Sequence, residues 1–253
     1  MIGMAVIAFL IGAGCLSCSK DENSDGNRKL TKFVTVTDSG NEVGWTFTYD
    51  SNGKLNRAQF NDEWNGQTHT QTYQFSWNGD VVDVRQTDGS DDAKYTFTIE
   101  NGLIRSARST RNSYTENFTY TYFADRLERI DIKQGEATNY TTAAWDGDKL
   151  TRMSYSYSGS SAPDETLTIT CEKSCSKGYC PLIAEMIGDT TPYIYLYMAH
   201  PELIGAKTTQ LPTSVARSYH GNNESYNVNY EFDNNGYISK IVRNGVALTL
   251  KWE

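Results

Sequence analysis

The sequence predicts an all-β, mainly antiparallel fold: a large curled or barrel-like up-and-down β-meander. Three observations carry that prediction. Short runs alternate aromatic with polar residues, each run stops at a Gly, Asp or Asn turn, and the first five turns recur roughly every 22 to 26 residues. A two-residue period places alternate side chains on one face, which is a strand signal and excludes helical repeats.

The outgoing strands read Trp45-x-Phe47-x-Tyr49, Tyr73-x-Phe75-x-Trp77, Tyr95-x-Phe97-x-Ile99, Phe118-x-Tyr120-x-Tyr122, Thr141-x-Ala143-x-Trp145 and Val228-x-Tyr230-x-Phe232. Each is followed by a turn whose residues tolerate positive φ, such as Asp50-Ser51-Asn52-Gly53, Asn78-Gly79, Asn101-Gly102 and Asp233-Asn234-Asn235-Gly236. The return strands carry apolar residues at i and i+3, as in Leu55 and Ala58, Leu127 and Ile130, Leu150 and Met153, Ile238 and Ile241. That spacing breaks strict alternation and points either to a bulge or to a strand buried on both faces. About twelve strands in one meander must curl, close or split, because open twisted sheets seldom exceed ~10 strands.

Between about 171 and 227 the pattern lapses. Leu182 to Ile187, after Pro181 and before Gly188, predicts a short helix, and Tyr193 to Leu203 is of mixed character up to His200-Pro201. One or two short helices are expected between about 171 and 205, plugging an open end of the sheet. Strand character resumes at Leu211 to Val215 and ends with Val246 to Trp252.

The amino terminus has a different character. Met1 to Ser17 carries no charged side chain, and its apolar run is too short to cross ~30 Å of hydrocarbon. We expect a lipoprotein signal peptide over 1–17, lipidation at Cys18 with Cys15 as the alternative, a flexible tether over 18–30 and a single β domain over 31–253. The Cys18-Ser19-Lys20-Asp21-Glu22 start resembles those of lipoproteins that gut anaerobes export to the outer membrane. This implies an outer-membrane lipoprotein at the cell surface, or otherwise facing the periplasm. Its partner there is the membrane, reached through the lipid anchor.

Phrases such as Tyr49-Asp50-Ser51-Asn52-Gly53-Lys54-Leu55 and Phe232 to Ile241 resemble YD-repeat hairpins. Trp145 to Arg152, His200 to Gly205, Leu211 to Ser214 and the Tyr230 to Ile241 hairpin resemble an uncharacterised lipoprotein family of gut anaerobes, a domain of unknown function described as having a porin-like fold. That resemblance implies a large meandering sheet and brings no catalytic residues.

Composition excludes some functions. A formal net charge of −8 without a basic cluster argues against nucleic acid. Asp, Asn and Arg on the outside would be costly in lipid, which argues against a membrane-spanning barrel. No nucleophile elbow, phosphate loop or dinucleotide fingerprint is present, and no catalytic residue or cofactor is assigned. Cys175 and Cys180 flank a short loop and are expected to form a disulfide, with Cys171 a buried free thiol. A zinc site with His200 or His220 is the less favoured alternative. Trp64, before Asn65-Gly66, and Tyr179, in the cysteine loop, are the candidate ligand-binding aromatics. Asp189-Thr190-Thr191 resembles an O-glycosylation motif that would modify Thr190. The leading expectation is a non-catalytic binding module for a glycan or other small ligand. Next comes a structural or adhesive lipoprotein that acts through a protein partner, and after it a hydrolase with two converging carboxylates.

Overall fold

The computed structural model describes residues 28–64, 66–87, 93–111, 114–157, 162–188 and 193–253. Among them, sixteen strands follow one another around a single closed antiparallel barrel. They are β1 (Leu30–Val36), β2 (Glu42–Tyr49), β3 (Leu55–Trp64), β4 (Gln67–Asn78), β5 (Val81–Gln86), β6 (Ala93–Glu100), β7 (Leu103–Arg111) and β8 (Tyr114–Phe123). The circuit continues with β9 (Arg126–Gln134), β10 (Ala137–Asp146), β11 (Lys149–Ser156), β12 (Glu165–Ser174), β13 (Gln210–Tyr219), β14 (Asn222–Phe232), β15 (Ile238–Arg243) and β16 (Val246–Trp252). The first strand closes the circle by pairing with both β2 and β16, so that Phe33 lies opposite Trp45 on one side and Leu250 on the other. The sheet is therefore closed rather than open and curled, and it has more strands than the turn count suggested. The signal-peptide and lipidation positions, Cys15 and Cys18 included, lie outside the described residues.

The broken alternation of the return strands comes from bulges. In the β2–β3 pair the register steps from Thr48↔Arg57 to Tyr49↔Leu55, leaving Asn56 as the extra residue. The same skip occurs at Arg105, Glu128, Thr151 and Ser239. One extra residue turns an i, i+3 spacing into two inward-facing positions, so Leu55 and Ala58 are both buried.

Each bulge sits beside a recurrent hydrogen bond. An aromatic near the end of an outgoing strand donates to a backbone carbonyl of the preceding strand: Tyr49 Oη to Leu30 (2.8 Å), Trp77 Nε1 to Leu55 (2.8 Å), Tyr122 Oη to Ile104 (2.6 Å) and Trp145 Nε1 to Leu127 (2.8 Å). Tyr230 Oη does so to Pro212 (2.8 Å) and Trp252 Nε1 to Ile238 (2.7 Å). A cation next to the accepting residue covers the ring in four cases, Lys29 over Tyr49, Lys54 over Trp77, Arg105 over Tyr122 and Arg126 over Trp145. Aspartates finish the unit. Asp50 Oδ1 accepts the N–H groups of Asn52 and Lys54, and Asp233 Oδ1 those of Asn235 and Tyr237.

The barrel wall is apolar inside and polar outside. Along β6, Ala93, Tyr95, Phe97 and Ile99 are buried while Lys94, Thr96 and Glu100 are exposed. Strand β8 alternates in the same way, with Phe118 and Tyr120 inside and Asn117, Thr119 and Thr121 outside. A membrane-spanning barrel needs the opposite arrangement.

A chain segment entering from the end that carries the short aromatic–Asp turns fills this apolar interior. It contains α1 (Pro181–Gly188), α2 (Ile194–Ala199) and a 3-10 turn (Pro201–Ile204), between β12 and β13. Tyr193, at the start of α2, and Tyr195 and Tyr197 within it are all fully buried. Residues two apart on a helix point to nearly opposite sides. Tyr195 accordingly stacks on Tyr73 (ring centroids 4.3 Å) and meets Trp45 (5.4 Å) and Phe75 (5.7 Å). Tyr193 meets Phe97 and Phe118, each at 4.8 Å, and Tyr197 shares a 2.5 Å hydroxyl hydrogen bond with Tyr120. Tyrosines spaced for a strand thus give a helix that is apolar all round, as a fully enclosed one must be.

The segment is fastened where it re-emerges. His200 Nε2 accepts the Leu55 N–H (3.1 Å), which places the ring proton on Nδ1, where it donates to Glu202 Oε1 (2.9 Å). Arg126 donates to the carbonyls of Gly205 and Lys207 (both 3.0 Å) and pairs with Asp148. Gly205 has φ +61°, and a Cβ there would lie 2.0 Å from the Asp125 carbonyl oxygen, so only glycine permits this approach.

Four measurements test this architecture. Phe118→Ala should cost about 3–5 kcal/mol in urea unfolding, whereas the outward Thr119→Ala should change stability by about 0.5 kcal/mol or less. The domain should refold without detergent. His200→Ala leaves the Leu55 N–H buried without its acceptor and should cost about 2 kcal/mol. The Glu202 carboxyl feels a raising influence from burial, but the His200 hydrogen bond, a backbone hydrogen bond and the Lys207 charge outweigh it and hold it below the usual carboxylate range. Its contribution is therefore complete above that range and disappears as pH falls through the lowered folded-state value. Acid unfolding followed by the fluorescence of Trp77, whose ring lies 5.5 Å from His200, should show this loss in the native chain and not in Glu202→Gln.

Candidate functional site

At the end of the barrel away from the short turns, where α1 ends the filling, the inward positions change from aromatic to charged. There β11 to β15 and α1 enclose a cleft of about 310 Å³ lined by Tyr155, Glu165, Glu185, Arg217, Glu224 and Tyr226 among others. Strand register explains who meets whom. Glu165 lies opposite Tyr155 and Tyr219, and Arg217 lies opposite Leu167 and Glu224, all on the inner face.

Glu165 is the anchor of this network. Its side chain is 4% exposed, and Arg217 meets it with two donors, Nε to Oε1 at 2.6 Å and Nη2 to Oε2 at 3.2 Å. The Tyr157 hydroxyl donates to Oε2 at 3.1 Å. Hydrogen bonding to Glu165 raises the Arg217 guanidinium, with smaller charge contributions from Glu165 and Glu224. With both oxygens engaged by donors, Glu165 is held in place as an acceptor. On the α1 side, Arg243 Nη2 pairs with Glu185 Oε1 at 2.7 Å, and Tyr155 donates to the Met186 carbonyl at 2.7 Å. Two outer-surface grooves differ in character. One of about 640 Å³ includes Lys32 and Lys251, which are already paired with Glu42 and Glu253, and one of about 360 Å³ lies beside Phe123 and Trp145.

The residues singled out from sequence do not gather here. Tyr179 is buried, packing edge-on against Trp252 at 5.1 Å and donating to the Met198 carbonyl at 2.6 Å, so its expected role as an exposed ligand platform is corrected. Trp64 ends β3 opposite Gln67, as a hairpin position should, and its side chain lies outside the described residues. So does Thr190.

The expected Cys175–Cys180 bridge is also corrected: Cys171, Cys175 and Cys180 are buried free thiols. Each has its own surroundings. Cys171 Sγ faces the Leu150 carbonyl at 3.6 Å, the place an aromatic donor holds in the other repeats, and Cys180 Sγ lies 3.8 Å from the Tyr230 hydroxyl. His200 is engaged with Leu55 and Glu202, and His220 occupies a positive-φ turn beside the Tyr219 ring. Among the described residues, no three His, Cys, Asp or Glu side chains converge as metal ligands.

The site residues missed from sequence were legible in principle. Glu165 continues the Leu167-x-Ile169 face, Arg217 continues that of Val215, and Glu224-x-Tyr226-x-Val228 runs into the aromatic triplet of β14. A charged residue in phase with a core-facing row was the signal.

The fold is porin-like in comparison with solved structures. The chain is similar to a porin-like protein from Bacteroides uniformis ATCC 8492, with a TM-score of 0.65 and 16% identity over 88% of this chain and 98% of that one. It is similar to a second, from Bacteroides vulgatus ATCC 8482, with a TM-score of 0.63 and 14% identity over the same shares. No protein-family model and no curated protein matches the chain.

Thiol chemistry offers a check on the interior. Burial pushes the Cys175 thiol up to about 11 and Cys180 up to about 12. Because the thiolate is the reactive form, a chain begun at Arg28 should resist a thiol reagent at pH 8 and expose three reactive groups only in denaturant.

Proposed function

We propose that this chain is a non-catalytic binding module of the cell envelope that takes a small polar ligand, such as a short glycan, in the charged cleft at the barrel mouth. The observation that carries the reading is the combination of a filled barrel and a preformed cleft. The α2 tyrosines occupy the interior that a porin would leave as a channel, so transport through the middle is disfavoured. What stays accessible is a concave site held rigid by Glu165, Arg217 and Tyr157, within the size range of small-ligand pockets. Planar carboxylate and guanidinium groups beside Tyr226 are suited to a ligand rich in hydroxyl groups.

The porin-like neighbours from Bacteroides are compatible with an outer-membrane location, and the short leader followed by Cys18 supports a lipid anchor in place of a membrane-spanning wall. Adhesion through a sheet edge is less well supported, because the described strands close on themselves and present no edge. Hydrolysis is disfavoured by Glu165 having both oxygens engaged.

Calorimetric titration of the intact lipoprotein with a glycan library tests the proposal. We expect binding without turnover, weakened roughly tenfold by Tyr226→Ala and unchanged by Thr119→Ala on the outer wall. Product release in the same mixtures, or binding that ignores Tyr226, would overturn it.

A further inference from the structure

The charges of the mouth cleft specify its ligand further, on the reading that this cleft is the binding site. Among the described residues that line it, three carboxylates face two guanidiniums. Arg217 is committed to Glu165 through two donors, and Arg243 to Glu185. Glu224 is left: it stands opposite Arg217 in the β13–β14 register, is exposed to solvent, and has no hydrogen bond or ion pair among the described residues. Among the described residues its charge adds, after that of Glu165, to the influences that raise the Arg217 guanidinium, which spends two donors on Glu165.

A concave site with one uncompensated negative charge favours a cation and repels an anion. The Tyr226 side chain shares the cleft with Glu224, so an ammonium held by the carboxylate has an aromatic ring nearby, and aromatic faces attract cations. A primary ammonium also supplies three donors, and Asn244 in the same mouth offers a further acceptor.

We propose that the mouth cleft selects ligands that carry a protonated primary amine, with the ammonium on the Glu224 carboxylate and the body of the ligand against Tyr226. Among glycans this class is the free amino sugars, and outside them it is the small alkyl amines and basic amino acids. The acetylated sugar, which has lost the charge, is excluded.

The test is calorimetric titration of the intact lipoprotein at pH 7 with glucosamine, N-acetylglucosamine, glucose, putrescine and lysine. It is run on the native chain and on Glu224→Gln, an exposed isosteric change that leaves the Glu165–Arg217 pair in place. Glucosamine should bind at least roughly tenfold more tightly than glucose or N-acetylglucosamine, and Glu224→Gln should remove that preference. Added salt should weaken amine binding and leave neutral sugars unaffected. Tight binding of putrescine or lysine without glucosamine supports the amine and assigns the non-carbohydrate source. Neutral sugars binding as well as glucosamine, or an amine preference that survives Glu224→Gln, overturns this inference and leaves the binding module standing. Silence from every ligand, in this panel and in the glycan library, overturns both.

Discussion

The inward-facing apolar row is the constraint on which the rest of this structure depends. Sixteen strands enclose a space too wide for wall side chains alone to fill, and in outer-membrane porins of that size the space is a water channel. Here the wall presents Phe97, Phe118, Tyr95, Tyr73 and Phe47 to that space. Left wet, these side chains would forgo ~25 cal/mol for every Å² of apolar surface. The barrel is therefore stable only as a filled object. The segment between β12 and β13 supplies the filling from within the same chain, and Tyr193, Tyr195 and Tyr197 reach the wall on opposing sides.

Filling from one end makes the two ends unlike. At the entry end the aromatic latches and their covering cations have to be compatible with a segment passing in and out. The Arg126 contacts to Gly205 and Lys207, the Thr208 hydrogen bond to the Asp148 carbonyl and the His200 bond to Leu55 join the filling to the turns. Each latch also bonds a carbonyl near a bulge, where the ladder is interrupted and an additional donor is most useful. Cys171 clarifies the rule. At β12, where the chain leaves the wall, a thiol takes the latch position, and there the aromatic tip is dispensable.

How much of this was legible in the sequence follows from the range of the interactions involved. Alternation and turns are local, so Trp45 to Leu55 could be read as a hairpin, with a bulge as one of two readings of its broken alternation. Closure is not local: Phe33 meets Leu250 across almost the whole chain, and nothing near either residue announces it. The short helices between 171 and 205 were legible from the lapse in strand pattern, whereas the two-residue spacing of Tyr193, Tyr195 and Tyr197 did not announce that α2 is enclosed on all sides. Tyr179 and the Cys175–Cys180 pair were misjudged for a related reason. Loop composition was taken as exposure, whereas this loop turns inward to begin the filling. Glu165, Arg217 and Glu224 sat in phase with apolar rows, but a charge in phase has significance only once the end of the filling is known.

That last point ties the candidate site to the fold. Inward positions within reach of α1 and α2 must be apolar, because a charge there would be buried at a cost of several kcal/mol unless paired. Inward positions past that reach face water and are free of the requirement. Glu165 lies at the boundary: it is nearly inaccessible, and it is correspondingly the residue with two guanidinium donors and a tyrosine hydroxyl. Glu224, level with Arg217 and Leu167 in the strand register, is exposed and can remain a bare charge. The change from stacked tyrosines to one clamped carboxylate and one exposed carboxylate follows from ending the filling at α1. It leaves a preorganised cleft with one carboxylate still open to a partner.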